Sequence, residues 1–189
     1  GRVDDALRSL EAIANAPKGR PTNLAQLRLR ADVLYRSRTR YAEAARAYQE
    51  ASNVGGVNAA EDAFLAARAL SRADKDNEAI AAYGAVVTRF PRTGWADQAS
   101  YFVPYLHLVH GRWREAAIGF DEYVKKFPSG AMRPETTRTR AIARLMMKDH
   151  RAARKLFEEL ADDNKGDALS FARARALSAL AAFRDGDRT

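Results

Sequence analysis

The feature that most constrains the fold of this chain is a motif that returns after thirty-seven residues. It combines a Glu-Ala pair, an aromatic residue one helical turn later and a terminal Phe-Pro pair, and its clearest copies occupy residues 78–91 and 115–128. Segment 41–51 aligns with the copy at 78–91 after a shift of thirty-five residues. Segment 151–160 aligns with the copy at 115–128 after a shift of thirty-seven. Four copies at nearly one period indicate a chain of stacked units that bury a core between neighbours.

The spacing inside each copy predicts two closely packed antiparallel helices. Ala79 precedes Tyr83 by one turn, as Ala116 precedes Phe120. A small Ala lets two helices approach, and the aromatic ring fills the space one turn further on. At a period of thirty-four to thirty-seven residues, this pattern resembles the tetratricopeptide repeat over residues 22–189. The resemblance implies an all-α fold, a right-handed α-solenoid of tetratricopeptide-like helical hairpins.

The repeat phase predicts about ten helices of two alternating types. First-type helices, which open each hairpin, are expected at 22–37, 57–72, 94–110, 131–148 and 167–184. Second-type helices, which close it, are expected at 3–14, 41–52, 76–89, 112–127 and 150–162. No window alternates apolar and polar residues as a strand would. Pro104 falls inside a first-type helix, where we expect it to kink the helix or shift its start.

The repeat pattern is interrupted at both ends of the chain. Segment 3–14 is in phase with the second-type helices but lacks a first-type partner, and Asp185-Gly186-Asp187 matches the turn before a further second-type helix. We therefore expect residues 1–189 to be a single solenoid domain with incomplete repeats at both ends, cut from a longer protein. Uncapped hairpin faces at the ends would favour self-association.

Composition excludes several classes of function. The chain has no Cys, which rules out thiolate zinc sites, disulfides and cysteine nucleophiles. Its net charge of +8 attracts anionic partners, but no dense Lys/Arg block or nucleic-acid motif accompanies it. The longest apolar run is far shorter than a membrane span. We predict no nucleic-acid partner and no transmembrane segment.

The titratable residues do not form a recognisable catalytic or metal site. His107 and His110 share a helix face and could begin a metal site that His150 would complete, although packing or solvent-facing roles are the favoured alternative. Paired acids such as Glu158-Glu159 are expected on solvated faces, which lack the partly buried cleft that acid catalysis needs. No phosphate-binding, serine-hydrolase or metalloprotease motif is present. We predict no catalytic residues, cofactor or metal, and a chain that is not an enzyme.

The inner face of the predicted solenoid is the best candidate for binding. Carrying the repeat phase across the first-type helices predicts inward positions at Leu29, Val33, Arg36, Phe64, Arg68, Arg72, Tyr101, Tyr105, Arg138, Ile142 and Arg175. Aromatic faces with converging guanidinium groups suit peptides, carboxylates or sugar rings. The best-placed set is Phe64, Arg68, Tyr101, Tyr105 and Arg138, and the alternative is that some of these pack against the adjoining hairpin.

Four segments are also similar to the helical superhelix of bacterial soluble lytic murein transglycosylases. They are Tyr83 with Phe90-Pro91, Trp95-Ala96-Asp97-Gln98-Ala99, Gly111-Arg112-Trp113 and Phe127-Pro128-Ser129-Gly130. The segment Thr139–Arg144, followed by Ala152-Ala153 and Phe157, is also similar. In that family a curved periplasmic scaffold accompanies a lysozyme-like domain, which cleaves peptidoglycan with a Glu followed by Ser. No Glu in this chain is followed by Ser, so the resemblance transfers no catalytic residue.

The resemblance implies a non-catalytic periplasmic scaffold that positions peptidoglycan or a partner. The same Phe-Pro turns also occur in periplasmic tetratricopeptide adaptors. The alternative function is therefore an adaptor of the cell envelope that binds a peptide or partner helix in its concave groove.

Overall fold

The computed structural model describes residues 2–14 and 24–186, which form ten α-helices and no strand. The helices are α1 (Arg2–Ala14), α2 (Leu24–Arg36), α3 (Tyr41–Val54), α4 (Ala59–Arg72), α5 (Asp76–Arg89), α6 (Gly94–Val109), α7 (Trp113–Lys126), α8 (Arg133–Met146), α9 (His150–Asp163) and α10 (Ala168–Asp185). The predicted all-α class and alternation of helices are confirmed. Predicted residues 22–23 of the first hairpin and Asp187 of the last turn lie outside the described residues.

The chain divides into two compact units, Gly1–Ala99 and Ser100–Thr189, which are described separately below. The boundary falls inside α6. Within each unit, helices that follow one another along the chain pack together, as the short hairpin turns require. A single domain over the whole chain stays a prediction.

The core of the first unit is built mostly from alanine and one aromatic residue per hairpin. Ala31 and Leu34 of α2 pack with Ala44 and Tyr48 of α3 and with Ala66 of α4. All of these side chains are buried, and the Tyr48 hydroxyl donates a hydrogen bond to Asp32 at 2.5 Å. The small side chains let the helices approach closely, and Tyr48 fills the space that remains.

The second unit repeats this arrangement in two adjoining clusters. In one, Phe120 and Tyr123 of α7 pack with Ala143 of α8. In the other, Phe157 of α9 packs with Ala181 of α10. The aromatic position of the repeat motif is fully or nearly fully buried in all four copies: Tyr48, Tyr83, Phe120 and Phe157. The motif is therefore explained by packing.

The turns that join first-type to second-type helices share one backbone feature. Each contains a residue with positive φ: Arg38 at 61°, Asp74 at 57°, Gly111 at 72° and Lys148 at 64°. In the last three turns, the backbone N–H of the next residue donates to the carbonyl five residues earlier, at 3.0, 2.9 and 3.0 Å respectively. This is the Schellman arrangement, which satisfies carbonyls at the helix end. These four residues give the repeat a structural register that does not depend on side-chain similarity.

Pro104 lies within α6, which begins at Gly94 as predicted. The start of the helix is therefore not shifted, and the kink stays a prediction. The Pro104 ring is buried and faces α7 at Gly119, where the chain has no side chain.

Candidate functional site

Four arginines and two tyrosines of the first unit surround a cavity of about 570 Å³. These residues, the arginine pocket, are Tyr35, Arg36, Arg38, Tyr41, Arg68 and Arg72. They come from the C-terminal ends of α2 and α4, the turn after α2 and the first residue of α3. The repeat packing of adjacent hairpins therefore brings together side chains from two hairpins.

The turn between α2 and α3 places three of these residues. Arg36 ends α2, Arg38 occupies the left-handed position and Tyr41 starts α3. The hydroxyl of Ser37 donates to the Leu34 carbonyl at 2.6 Å and accepts from the backbone N–H of Arg40 at 3.3 Å. These bonds hold the turn and direct the chain from one wall of the pocket to the other.

The tyrosines form an aromatic wall. The Tyr35 and Tyr41 ring centroids lie 5.2 Å apart in an edge-to-face arrangement, and Tyr48 lies 6.3 Å from Tyr35 behind them. Tyr35 and Tyr41 are half-buried. Their packing fixes the rings and leaves part of each accessible to a ligand.

The guanidinium groups of the arginine pocket differ from other arginines of the first unit in their ionic contacts. Among the described residues, no carboxylate lies within 4.0 Å of Arg36, Arg38, Arg68 or Arg72, and all four are exposed. The positive charges of Arg68 and Arg72 also act on the buried Tyr83. Burial raises the pKa of the Tyr83 hydroxyl, and the two charges oppose that rise.

Neighbouring arginines of the same unit behave differently. Arg28 pairs with Glu61 at 2.7 Å and with Asp62 at 2.8 Å, and Arg40 pairs with Glu43 at 2.6 Å. The first unit thus contains both neutralised arginines, which tie elements together, and an unneutralised set around the cavity. That contrast favours a binding role for the unneutralised set over a structural one.

The structure distributes the five best-placed predicted site residues between the units. Arg68 lines the arginine pocket, together with Arg36 and Arg72 from the wider predicted set. In the second unit, Arg138 is exposed and pairs with Glu135, while Tyr105 is half-buried and stacks on Tyr101 with centroids 5.7 Å apart.

Phe64 and Tyr101 are buried, which corrects their expected place on an open groove. The Phe64 ring packs between Tyr83 and Trp95, with centroids 5.5 and 5.0 Å away. Tyr101 packs on Phe120 at 5.8 Å, and burial raises its pKa to about 12. Apolar burial determines the position of both rings, as the packing alternative anticipated.

The repeat phase did not predict three residues of the pocket: Tyr35, Arg38 and Tyr41. Two of them lie outside the first-type helices, to which the repeat phase was applied. The available signal was the basic turn itself, in which Arg36, Arg38 and Arg40 alternate just before an aromatic residue.

The remaining candidate chemistry gives no further site. His107 is half-buried, and burial lowers its pKa. Within residues 2–14 and 24–186, no group of three or more His, Asp or Glu side chains is arranged to hold a metal ion. None of the helices in that part of the chain is both long and apolar enough to cross a membrane.

Comparison with known proteins identifies the fold. A family model for the tetratricopeptide repeat matches residues 63–93, which cover most of α4 and all of α5. A tetratricopeptide repeat protein from Parabacteroides merdae superimposes with a TM-score of 0.68 at 18% identity, covering 98% of this chain and 68% of that one. The fold is a tetratricopeptide-like helical repeat.

Other solved tetratricopeptide-like structures agree. Nearly identical TPR-like repeats from Podosopora anserina give a TM-score of 0.66 at 14% identity over 89% of this chain and 90% of that one. The MamA protein gives 0.66 at 16% identity over 89% and 86%. At these identities the likeness concerns the fold alone. No curated protein sequence matches the chain.

Proposed function

We propose that this chain is a protein-interaction module whose arginine pocket binds an acidic peptide segment of a partner protein. The observation that carries the proposal is the set of four guanidinium groups that surround one cavity with no carboxylate partner among the described residues. The tetratricopeptide-like repeat supports a protein as the partner.

The chemistry of the pocket suits carboxylates. A guanidinium group is planar and can donate two parallel hydrogen bonds to one carboxylate. Because a single exposed ion pair contributes only about 0–1 kcal/mol, one acidic residue would bind weakly. Several acidic side chains, or an acidic side chain and a terminal carboxylate, would engage several arginines together. The half-buried rings of Tyr35 and Tyr41 add an apolar wall beside the charges.

Fluorescence anisotropy with two labelled peptides tests the proposal. One peptide is Glu-rich with a free C-terminal carboxylate, and in the other Gln replaces each Glu. We expect the Glu-rich peptide to bind, and Arg68→Ser with Arg72→Ser to weaken its affinity by about tenfold. Arg46→Ser with Arg92→Ser is the matched control, because these exposed arginines lie in the same unit outside the pocket and the change in net charge is equal.

A pocket-specific loss supports the proposal. If both double variants lose affinity equally, attraction to the overall positive charge explains binding and the pocket has no special role. Equal binding of the Glu and Gln peptides would exclude carboxylate recognition.

A scaffold role in a periplasmic lytic transglycosylase is the finer alternative. It rests on the segment resemblance only, since neither the matched family model nor the structures above are described as transglycosylases. Peptidoglycan stem peptides also carry carboxylates, so sedimentation with purified sacculi, using the same double variants, tests this ligand. Under either alternative we propose a binding role without catalysis.

A further inference from the structure

The turn that carries part of the arginine pocket is one residue longer than the other hairpin turns. Four residues separate α2 from α3, whereas three separate α4 from α5, α6 from α7 and α8 from α9. The same difference appears between two fixed points of the repeat, the left-handed residue and the buried alanine of the motif. They are six positions apart in Arg38 and Ala44 but five in the other pairs, which are Asp74 and Ala79, Gly111 and Ala116, and Lys148 and Ala153. The repeat is therefore altered at the pocket.

The longer turn leads directly to the aromatic wall of the pocket. Tyr41 begins α3 three positions after the left-handed Arg38, and its ring meets the ring of Tyr35 edge to face at 5.2 Å. The wall is fixed from behind, because Tyr35 also packs on the buried Tyr48 at 6.3 Å. Folding therefore holds both rings in place at the cavity.

Tyr35 and Tyr41 differ from the buried Tyr48 in the use of their hydroxyl groups. The Tyr48 hydroxyl donates to Asp32 at 2.5 Å. Among the described residues, no group forms a hydrogen bond with the hydroxyl of Tyr35 or Tyr41, and both side chains are half-buried. A tyrosine that serves packing usually satisfies its hydroxyl, as Tyr48 does. The two hydroxyls of the wall are therefore available to a ligand.

The size and the lining of the cavity suit a ligand that is larger than a carboxylate. At about 570 Å³ the cavity lies within the range of about 300–1,000 Å³ that is typical of ligand pockets. A carboxylate bound to the guanidinium groups would occupy a small part of this volume and leave the tyrosine rings in water. Because burial of apolar surface is favourable, a bulky apolar group beside the carboxylates would bind more tightly.

We propose that the arginine pocket recognises an aromatic side chain, Trp above all, beside the acidic residues of the partner segment, and that Tyr35 and Tyr41 select it. Aromatic rings pack edge to face or offset, and the face of a ring also attracts a guanidinium group. An aromatic side chain thus gains from the tyrosines and from the arginines, whereas an aliphatic one gains from burial alone. The indole N–H of Trp can also donate to a tyrosine hydroxyl oxygen. The inference rests on the proposed function, because the arginines hold the acidic residues that place the aromatic side chain.

Fluorescence anisotropy with three labelled peptides of equal charge tests the inference. The peptides share the same Glu residues and carry Trp, Leu or Ser at one central position. We expect the Trp peptide to bind about tenfold more tightly than the Ser peptide and about threefold more tightly than the Leu peptide.

Tyr41→Ser tests the aromatic wall. It should remove most of the advantage of the Trp peptide and leave the affinity for the Ser peptide unchanged, because all four arginines remain. Unchanged binding of the Ser peptide also shows that the pocket is folded in this variant. Tyr105→Ser is the matched control, because Tyr105 is also half-buried but lies in the second unit, away from the pocket, and it should keep the full advantage of Trp.

The outcomes distinguish this inference from the proposed function. If the Ser and Trp peptides bind wild type with equal affinity, the aromatic inference is wrong while carboxylate recognition stands. If none of the peptides binds, both fail. A Leu peptide as tight as the Trp peptide would exclude selection of an aromatic ring. An equal loss of both peptides in Tyr41→Ser, or a lost Trp advantage in Tyr105→Ser, would also overturn the role of the wall.

Discussion

A Cβ atom on Gly119 would lie 2.8 Å from the Cβ atom of Pro104. Contacts this short are not tolerated between real Cβ atoms, and the ring of Pro104 cannot rotate away. One repeat earlier the equivalent residue is Ala82. Glycine at 119 is therefore explained by the proline that interrupts the preceding helix.

Gly119→Ala should lower the free energy of unfolding by about 1–3 kcal/mol because it overpacks this contact. Gly84→Ala is the control: Gly84 also lies inside a helix, but nothing lies within 4 Å of an added Cβ. There the better helix propensity of Ala should raise stability by about 0.5–1 kcal/mol. Urea unfolding of the two variants measures the difference, and a stabilising Gly119→Ala would show that α6 and α7 separate freely.

Lys148→Gly should stabilise the protein by about 0.5–1 kcal/mol, because Lys148 has a φ of 64° that glycine adopts without steric cost. Asp74→Gly should gain less, since Asp tolerates the left-handed region better. Gly111→Ala, at a φ of 72°, provides the opposite change and should destabilise. Thermal unfolding compares the three variants. Destabilisation by Lys148→Gly would mean that contacts of the Lys side chain outweigh backbone strain.

The burial of the Asp62 carboxyl group should make the stability of the protein depend on pH. It is fully buried, and among the described residues neither carboxylate oxygen has a well-aligned hydrogen-bond donor, although Arg28 Nε lies 2.8 Å from Oδ1. Burial raises its pKa above the ordinary 3.8, while Arg28 opposes the rise. The neutral acid therefore stabilises the fold below pH 3.8, and this contribution is lost as pH rises through the raised pKa.

Asp62→Asn isolates this effect, since Asn stays neutral at every pH. Stability of the variant relative to wild type should increase as pH rises from about 4 to about 7. Urea unfolding across that range measures it, with Asp163→Asn, at an exposed site, as the control. A flat difference between wild type and Asp62→Asn would mean that Arg28 fully compensates the buried charge.

Arg68→Lys with Arg72→Lys should separate charge from geometry in the arginine pocket. Lys retains the charge but cannot donate the parallel bidentate bonds of Arg. We expect affinity for the Glu-rich peptide to fall about threefold to tenfold while its salt dependence is retained. Anisotropy titrations at about 0.01 and about 0.1 M ionic strength measure both quantities. Unchanged affinity would indicate recognition by charge alone.

The order of the helices and the buried aromatic residue of each hairpin were predictable because the same packing pattern recurs in every copy of the repeat. Tyr83 and Phe120 recur at one position, and both are buried. The burial of Phe64 and Tyr101 could not be predicted in this way. The phase gives the side of a helix on which a residue lies, but their partners, Trp95 and Phe120, decide whether the ring is covered.

The arginine pocket was predictable only in part, for a related reason. Arg68 and Arg72 lie on a first-type helix and follow from the phase. Arg38 and Tyr41 enter the pocket because the backbone reverses through a left-handed residue after α2. The pattern of hydrophobic residues does not predict this turn. Arg is uncommon at positive φ, so the residue type gives no signal, and the position of the turn is determined by the packing of the helices on either side.

The residue two positions before each left-handed turn is exposed in all four described hairpin turns: Arg36, Arg72, Val109 and Met146. Folding places almost no demand on its side chain, because neither the core nor the turn uses it. Selection for a new partner can therefore act there one repeat at a time without a stability penalty. Such a chain can change what it recognises by single substitutions while its architecture is inherited intact.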